Sequence, residues 1–374
     1  MCRLRVVRIV VSAGEASGRA MLDLFRTEMA KSDPSCEVVS LQDTAELESV
    51  FGFAEGLRAG PRLGGALSRA DEAVMKLKPD TAVLVSFSGL HLPLGRRLRR
   101  HSVPVLYLGP PQVWAWGGWR RRQLRESADR VVCLFRFEEE PLCRAGVNAA
   151  YFGYPLLDDV SSRLSREQTL EKLGLRPSER YVVFLPGSRP AEIAYHRPLF
   201  LEVLAKLKRA VGEIRGVMVA MEASPKSKVQ SPKSGAGSEV AESGMVVVWE
   251  NRYDVMRHAD CACAVSGTVT AELAILGVPM VACYHLAQPS RLLARVFVRA
   301  PFFALPNILA GTRLVPEVLE PTPEALARML ASLMRDSEER RQQLEGLARV
   351  AAGLGPPGAM ARICRLAAEM SRKP

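Results

Sequence analysis

Three strings in this chain place small residues, hydroxyls and one or two charges directly after an apolar run and directly before a helical pattern. Ser12-Ala13-Gly14-Glu15-Ala16-Ser17-Gly18 is the first, Leu185-Pro186-Gly187-Ser188-Arg189 with Glu192 the second, and Ser266-Gly267-Thr268 through Glu272 the third. Small residues at such a junction let backbone N–H groups approach a phosphate, with the positive end of the helix dipole behind them. Arg189 adds a permanent cation suited to a pyrophosphate, and Gly187 and Ser188 can shape an anion nest. A carboxylate four residues into a helix, as at Glu272, can take a ribose diol in bidentate fashion, and Glu15 can accept from a sugar hydroxyl. Each string also has a plainer reading. The first is then a tight turn with Ser17 as N-cap, Glu192 is a capping carboxylate in a first helical turn, and Glu272 is a partly exposed helix charge. No string is a GxxxxGK[ST] loop or a GxGxxG fingerprint, so neither ATP hydrolysis nor a dinucleotide redox cofactor is indicated. A nucleotide-sugar diphosphate held between two domains fits better, with no cofactor.

The elements that must position these loops follow from the pattern of apolar residues. Short β-branched runs at 4–11, 81–87, 103–108, 130–135 and 149–152 alternate with helical periodicity at 17–31, 63–77 and 138–145. A second series has strands at 181–185, 216–220, 245–249, 261–265 and 279–283, with helices at 192–211, 268–276 and 323–334. This alternation builds parallel sheets with helices on both faces. Ligands of such sheets lie beyond the carboxyl ends of the strands. The expected fold is α/β: two doubly wound Rossmann-type domains facing a cleft. Residues 1–165 are expected to form the first domain, 166–352 the second, and 353–374 a C-terminal helix that can pack back on the first. The run 224–242, rich in Ser, Lys, Gly and Pro, reads as a surface insertion.

Composition narrows the setting. The chain has 374 residues, 48% hydrophobic and 24% charged, ordinary values for a globular protein with a large core. Eight cysteines without regular spacing read as buried thiols of a reducing compartment. The uncharged stretch 101–119 carries too many Pro and Gly residues for a lone spanning helix. The net charge of +11 is concentrated in arginine clusters at 96–100 and 120–122. Without a nucleic-acid motif, and with 6% aromatic residues, these clusters fit solvated helix faces or an anionic membrane surface better than nucleic acid. Trp114, Trp116 and Trp119 suit a lipid interface or simple packing. His258, Cys261 and Cys263 are not expected to hold a metal, because the two thiols lie in an apolar strand with no fourth ligand evident.

Taken together, six strings resemble the lipid-A-disaccharide synthases, a GT-B-type glycosyltransferase family. They are the Gly14–Gly18 loop, Pro111-Gln112-Val113-Trp114-Ala115-Trp116, the Leu185–Arg189 loop with Glu192, and Ser266-Gly267-Thr268 through Glu272. The last two are Gly277-Val278-Pro279-Met280-Val281 and Leu305-Pro306-Asn307-Ile308-Leu309-Ala310-Gly311. The resemblance implies transfer of a 2,3-diacylglucosamine unit from UDP to the 6-hydroxyl of 2,3-diacylglucosamine 1-phosphate, with inversion. It implies a GT-B-like arrangement, with 1–165 as the acceptor- and lipid-binding domain and 166–352 as the UDP-sugar domain, and work at the inner face of the cytoplasmic membrane by a cytoplasmic, peripheral protein. It also implies UDP contacts at Arg189, Ser266, Gly267, Thr268, Glu272 and Asn307, together with Gly14, Ser17, Gly18, Gly187 and Ser188. Two acidic positions of the family pattern are Ser86 and Gly89 in this chain, and one of them is the family's base for the acceptor hydroxyl. His91 or Glu15 is the expected replacement base, His91 being set in a loop where a backbone hydrogen bond would equally explain it. Loss of a positioned base costs 10²–10⁴-fold in rate. Three readings therefore stand: the family reaction, a related GT-B nucleotide-sugar enzyme with another acceptor or an epimerase, and a non-catalytic UDP-sugar-binding homologue.

Overall fold

The computed structural model describes residues 6–14, 16–41, 60–114, 117–220, 238–240, 244–285 and 301–372. The chain divides into two compact units, Met1–Asp159 with Leu354–Pro374, and Val160–Gly353.

The first unit is built on a six-stranded sheet. In chain order its elements are β1 (Val7–Ala13), α1 (Ala16–Ser32), β2 (Cys36–Ser40), α2 (Gly60–Leu77), β3 (Thr81–Val85) and α3 (Ser88–Arg100). They continue with β4 (Val105–Leu108), α4 (Arg120–Ser127), β5 (Arg130–Val132), α5 (Arg136–Arg144) and β6 (Ala149–Ala150). The strand order is β2-β1-β3-β4-β5-β6, every pair parallel. All residues of β3 and β4 are buried, which explains why, Thr81 and the Tyr107 hydroxyl apart, they are apolar on both faces: a parallel sheet covered on both faces has no polar side.

The last helix of the chain, α13 (Ala359–Arg372), belongs to this unit and packs on α1. Its buried stripe of Ala359, Met360, Ile363, Cys364, Ala367 and Met370 recurs at three- and four-residue steps, the pattern of a helix with one face in a core. The approach to α13 is tied down by hydrogen bonds to both backbone and side-chain acceptors. Tyr151 donates its hydroxyl to Leu354 O at 2.6 Å, and Gly358 N donates to the Asp158 carboxylate at 2.8 Å.

The second unit carries α6 (Arg166–Lys172), β7 (Tyr181–Leu185), α7 (Pro190–Val211), β8 (Arg215–Val219), β9 (Ser238–Val240), β10 (Val246–Val248), α8 (Arg252–Arg257) and β11 (Cys261–Val265). After these come α9 (Thr268–Ile275), β12 (Met280–Tyr284), α10 (Leu305–Ala310), β13 (Glu317–Leu319), α11 (Pro323–Leu333) and α12 (Glu338–Gly353). Its sheet runs β13-β12-β11-β7-β8-β10-β9, parallel except for β9 against β10.

Several elements differ from expectation. Arginine-rich α3 and α4 carry too few apolar residues to announce themselves, and β2, β9 and β13 are short strands completed by their neighbours. The strand β9 falls inside the expected insertion 224–242, most of which lies outside the described residues. Among the described residues no helix is long and apolar enough to cross a membrane.

Candidate functional site

At the carboxyl edge of the first sheet, the turn after β3 is held in an unusual conformation. Ser86 and Phe87 both have positive φ, 51° and 47°, a left-handed pair that costs on the order of 1–3 kcal/mol per residue unless the surroundings enforce it. The enforcing contacts are visible. Ser86 N donates to Leu108 O at 2.7 Å, and Ser86 O accepts from the Tyr107 hydroxyl at 2.6 Å and from His91 Nδ1 at 2.9 Å. The Phe87 ring lies over Gly14, where a Cβ would fall 2.2 Å from the ring. Glycine is therefore required at position 14 for close approach.

His91 departs from the expected loop base. It sits in the first turn of α3 with no solvent exposure. A carbonyl only accepts, so His91 Nδ1 carries the proton given to Ser86 O, and Nε2 accepts the Ser12 hydroxyl at 2.9 Å. Burial pushes the imidazole down to about 4, outweighing backbone hydrogen bonds that favour its charged form. The ring is neutral with both nitrogens engaged, so an acceptor hydroxyl has no direct access to either; the geometry fits a tie for the turn. Glu15 lies outside the described residues. Ser17 and Gly18 open α1, and Gly18 has only ordinary contacts with Ala13 and Val85.

Farther along the same edge, Trp114 donates to Glu138 Oε1 at 3.3 Å, while Glu138 Oε2 accepts from Leu134 N and Phe135 N at 3.0 and 3.1 Å. Burial pushes this carboxyl up to about 7 against the opposing effect of those hydrogen bonds. Phe137 meets Trp114 edge-on and stacks on Phe135, which stacks in turn on Tyr154. Trp116 lies outside the described residues. Trp119 is 62% exposed with the Arg120 guanidinium over its ring. The arginine clusters are less bare than their sequence suggests: Arg96 and Arg122 pair with Glu126, Arg97 with Asp71 and Arg99 with Asp129.

The second sheet brings two of the loops together, because β7 and β11 are adjacent and in register. Gly187 has φ 101°, and a Cβ there would strike Glu192 Oε2 at 2.4 Å. Glu192 closes the loop by accepting from Ser188 N, Arg189 N and, at 2.9 Å, Arg189 Nη1. The Arg189 side chain keeps 46% exposure at the start of α7. Beside it, Gly267 is exposed and Thr268 opens α9. Ser266 donates its hydroxyl to Phe303 O at 2.6 Å, and Thr270 caps back to Gly267 O. Glu272 is buried, and its Oε1 accepts from Arg252 Nη2 at 3.2 Å.

Asn307, expected among the UDP contacts, is fully buried: its amide donates to Val315 O, and its carbonyl oxygen accepts from Leu314 N and Val315 N. These bonds fix the turn after α10. Conversely, sequence reasoning passed over Arg252, which reaches Glu272, and over Tyr195, His285 and Glu320, which meet from elements far apart in the chain. Arg291, Arg295 and Arg299, whose spacing in the sequence suits one face of a helix, lie outside the described residues. Among the described residues no group of His, Cys, Asp and Glu is arranged to hold a metal ion.

A family model described as lipid-A-disaccharide synthetase matches residues 9–354. A lipid-A-disaccharide synthase from Solibacter usitatus is 36% identical over 370 residues, covering 94% of this chain and 95% of that protein. Among solved structures, Arabidopsis thaliana UGT89C1 complexed with UDP is similar at a TM-score of 0.60 and 16% identity, covering 97% of this chain and 99% of the other. Acinetobacter baumannii MurG is similar at a TM-score of 0.55 and 15% identity, with coverage of 97% and 99%. At such identities the structures speak for the GT-B fold alone.

Proposed function

The chain belongs to the lipid-A-disaccharide synthetase family of GT-B glycosyltransferases, and from that premise we propose that it joins UDP-2,3-diacylglucosamine to 2,3-diacylglucosamine 1-phosphate. In this reading the acceptor 6-oxygen attacks the anomeric carbon and the bond from that carbon to the diphosphate breaks with its electrons. UDP departs, the configuration inverts, and the proton of the acceptor hydroxyl passes to solvent or a base.

The observation that carries the reading is the pairing of loops at the carboxyl edge of the second sheet. Exposed Arg189 and Ser188 stand beside exposed Gly267 and half-buried Thr268, each set at the start of a helix. Two helix N-termini and one guanidinium suit a diphosphate. Glu272, oriented by Arg252 in the first turns of α9, suits the ribose. Ser266 contributes by shaping the loop, since its hydroxyl is committed to Phe303 O. Gly14, Ser17 and Gly18 are assigned to substrate at the first sheet, where Gly14 clears space beside Phe87. Because the substrates are acylated, we assign the exposed Trp119 with Arg120–Arg122 to an anionic membrane surface, at about 1 kcal/mol per basic residue.

The replacement of the family's acids by Ser86 and Gly89, together with the engaged state of His91, gives the second reading its force: a nucleotide-sugar protein with a changed acceptor or without transfer. Purified protein incubated with both acylated sugars, without added metal, distinguishes them by mass spectrometry. Disaccharide 1-phosphate and UDP in equal amounts are expected. UDP binding by calorimetry without any disaccharide would establish the second reading, and Arg189→Gln should weaken that binding by about 10- to 100-fold, the worth of one charged hydrogen bond.

A further inference from the structure

Three elements of the second unit converge on one imidazole. His285 follows β12 directly, and its Nδ1 lies 2.7 Å from Glu320 Oε2, just past β13. Tyr195 of α7 stacks on the ring at 3.6 Å with the planes 10° apart. Glu320 holds a left-handed φ of 56°, the sort of backbone strain that persists where a side chain must be aimed. A histidine held at Nδ1 by a carboxylate has its tautomer and ring plane fixed, leaving Nε2 as the working atom. No protein group among the described residues bonds that atom, and the side chain is 30% exposed.

The surroundings say what such an atom would meet. Tyr195 lies six residues beyond Arg189 on the helix that Arg189 opens, about 9 Å along its axis, so the stacked pair belongs to the same end of that helix as the loop assigned above to the diphosphate. Tyr284 feels the charges of both Glu192 and Arg189. The other groups facing the ring are Tyr195 and His196 from α7, Tyr284 on its own strand and Glu320. His196 is buried, donates Nδ1–H to Glu192 O, and is held below the ordinary histidine range by that burial, so it adds no second cation.

We propose that His285 is a donor-contacting residue: Glu320 and Tyr195 present its Nε2 to the diphosphate of a bound nucleotide sugar, where the protonated ring adds a positive charge beside that of Arg189. This rests on the nucleotide reading of the second unit. It makes donor affinity depend on pH while Arg189 supplies a constant share.

The test is calorimetric titration of the full chain with UDP-N-acetylglucosamine at about pH 6 and pH 8, the interval in which histidine ordinarily changes charge. That probe has a diphosphate esterified at both ends, so its own charge stays constant. Wild-type affinity should fall roughly tenfold on going to the higher pH, which is about 1.4 kcal/mol. His285→Gln should bind weakly at both values, His285→Lys tightly at both, and Glu320→Ala, which removes the group that aims the ring, should bind more weakly than wild type. Near-ultraviolet circular dichroism checks that each variant is folded. Wild-type affinity independent of pH, or His285→Gln binding as wild type does, overturns the assignment while leaving the nucleotide reading intact. Failure of the wild type to bind at either pH overturns both.

Discussion

Ser12 and His91 are joined by one buried hydrogen bond of 2.9 Å between residues 79 apart in the chain. Through it the end of β1 is fixed to the turn after β3, and the left-handed pair Ser86–Phe87 is held above Gly14. The two loops that flank the carboxyl edge of the first sheet are thus one mechanical piece. Without this tie, the turn would still be held by Leu108 O, the Tyr107 hydroxyl and the Phe87–Gly14 contact.

The buried state of His91 has a pH signature. Its folded value of about 4 lies below the unfolded 6.5, so the unfolded chain takes up protons first as pH falls. The stabilising contribution is whole above about pH 6.5 and is lost progressively down to about pH 4, on the order of 3 kcal/mol in all. Urea midpoints measured across this window should fall less steeply for His91→Gln than for wild type. Equal slopes would mean that the ring is already charged or already exposed.

Glu138 works with the opposite sign. Its folded value, pushed up to about 7 from 4.5 by burial, means that the native state holds a proton the unfolded chain has released. The contribution is whole below about pH 4.5 and is lost as pH rises through 7, again on the order of 3 kcal/mol. Glu138→Gln should remove this loss, so its urea midpoint declines less between pH 5 and pH 8. Trp114 fluorescence in the wild type should change over the same interval, because its indole partner becomes an anion.

Two glycines four residues apart should respond in contrasting ways. Gly14→Ala drives a methyl group into the Phe87 ring and should cost about 1–3 kcal/mol, the usual range for overpacking. Gly18→Ala meets Ala13 Cβ at an ordinary 3.5 Å, and within α1 it should be neutral or stabilise by up to about 1 kcal/mol. Thermal melts of the two variants decide this. Phe87→Ala added to Gly14→Ala should recover part of the loss.

The pair Arg252–Glu272 combines a structural and a binding role, and the two are separable. Glu272→Gln leaves a half-buried guanidinium short of its counter-charge, so the melting temperature should fall. If the carboxylate also holds the ribose, the variant should bind UDP about tenfold more weakly while its affinity for 2′,3′-dideoxy-UDP stays that of wild type. Equal losses for both nucleotides would confine Glu272 to the structural role.

What could be read from the residues was whatever depends on local pattern. The strands β7 and β11 lie where their uninterrupted apolar runs place them, since a strand buried on both faces advertises itself in every residue. The helix ahead of β4 does not, because Arg96, Arg97, Arg99 and Arg100 obscure the Leu90, Leu94 and Leu98 stripe that packs it. Side-chain state was least accessible. His91 has its partner Ser12 two strands back in the chain, Asn307 is spent on backbone at 314–315, and Tyr195 meets His285 only because α7 and β12 belong to one sheet edge. None of these pairings leaves a mark on spacing.

The return of α13 to the first unit also sets an order of events during synthesis. Residues 160–353 leave the ribosome before the helix that covers α1 exists, so the second unit can complete its core while the first still displays the apolar face awaiting Met360, Ile363 and Ala367. The half of the molecule translated first is the half finished last. Its uncovered surface is the stage at which chaperones or self-association would compete with folding.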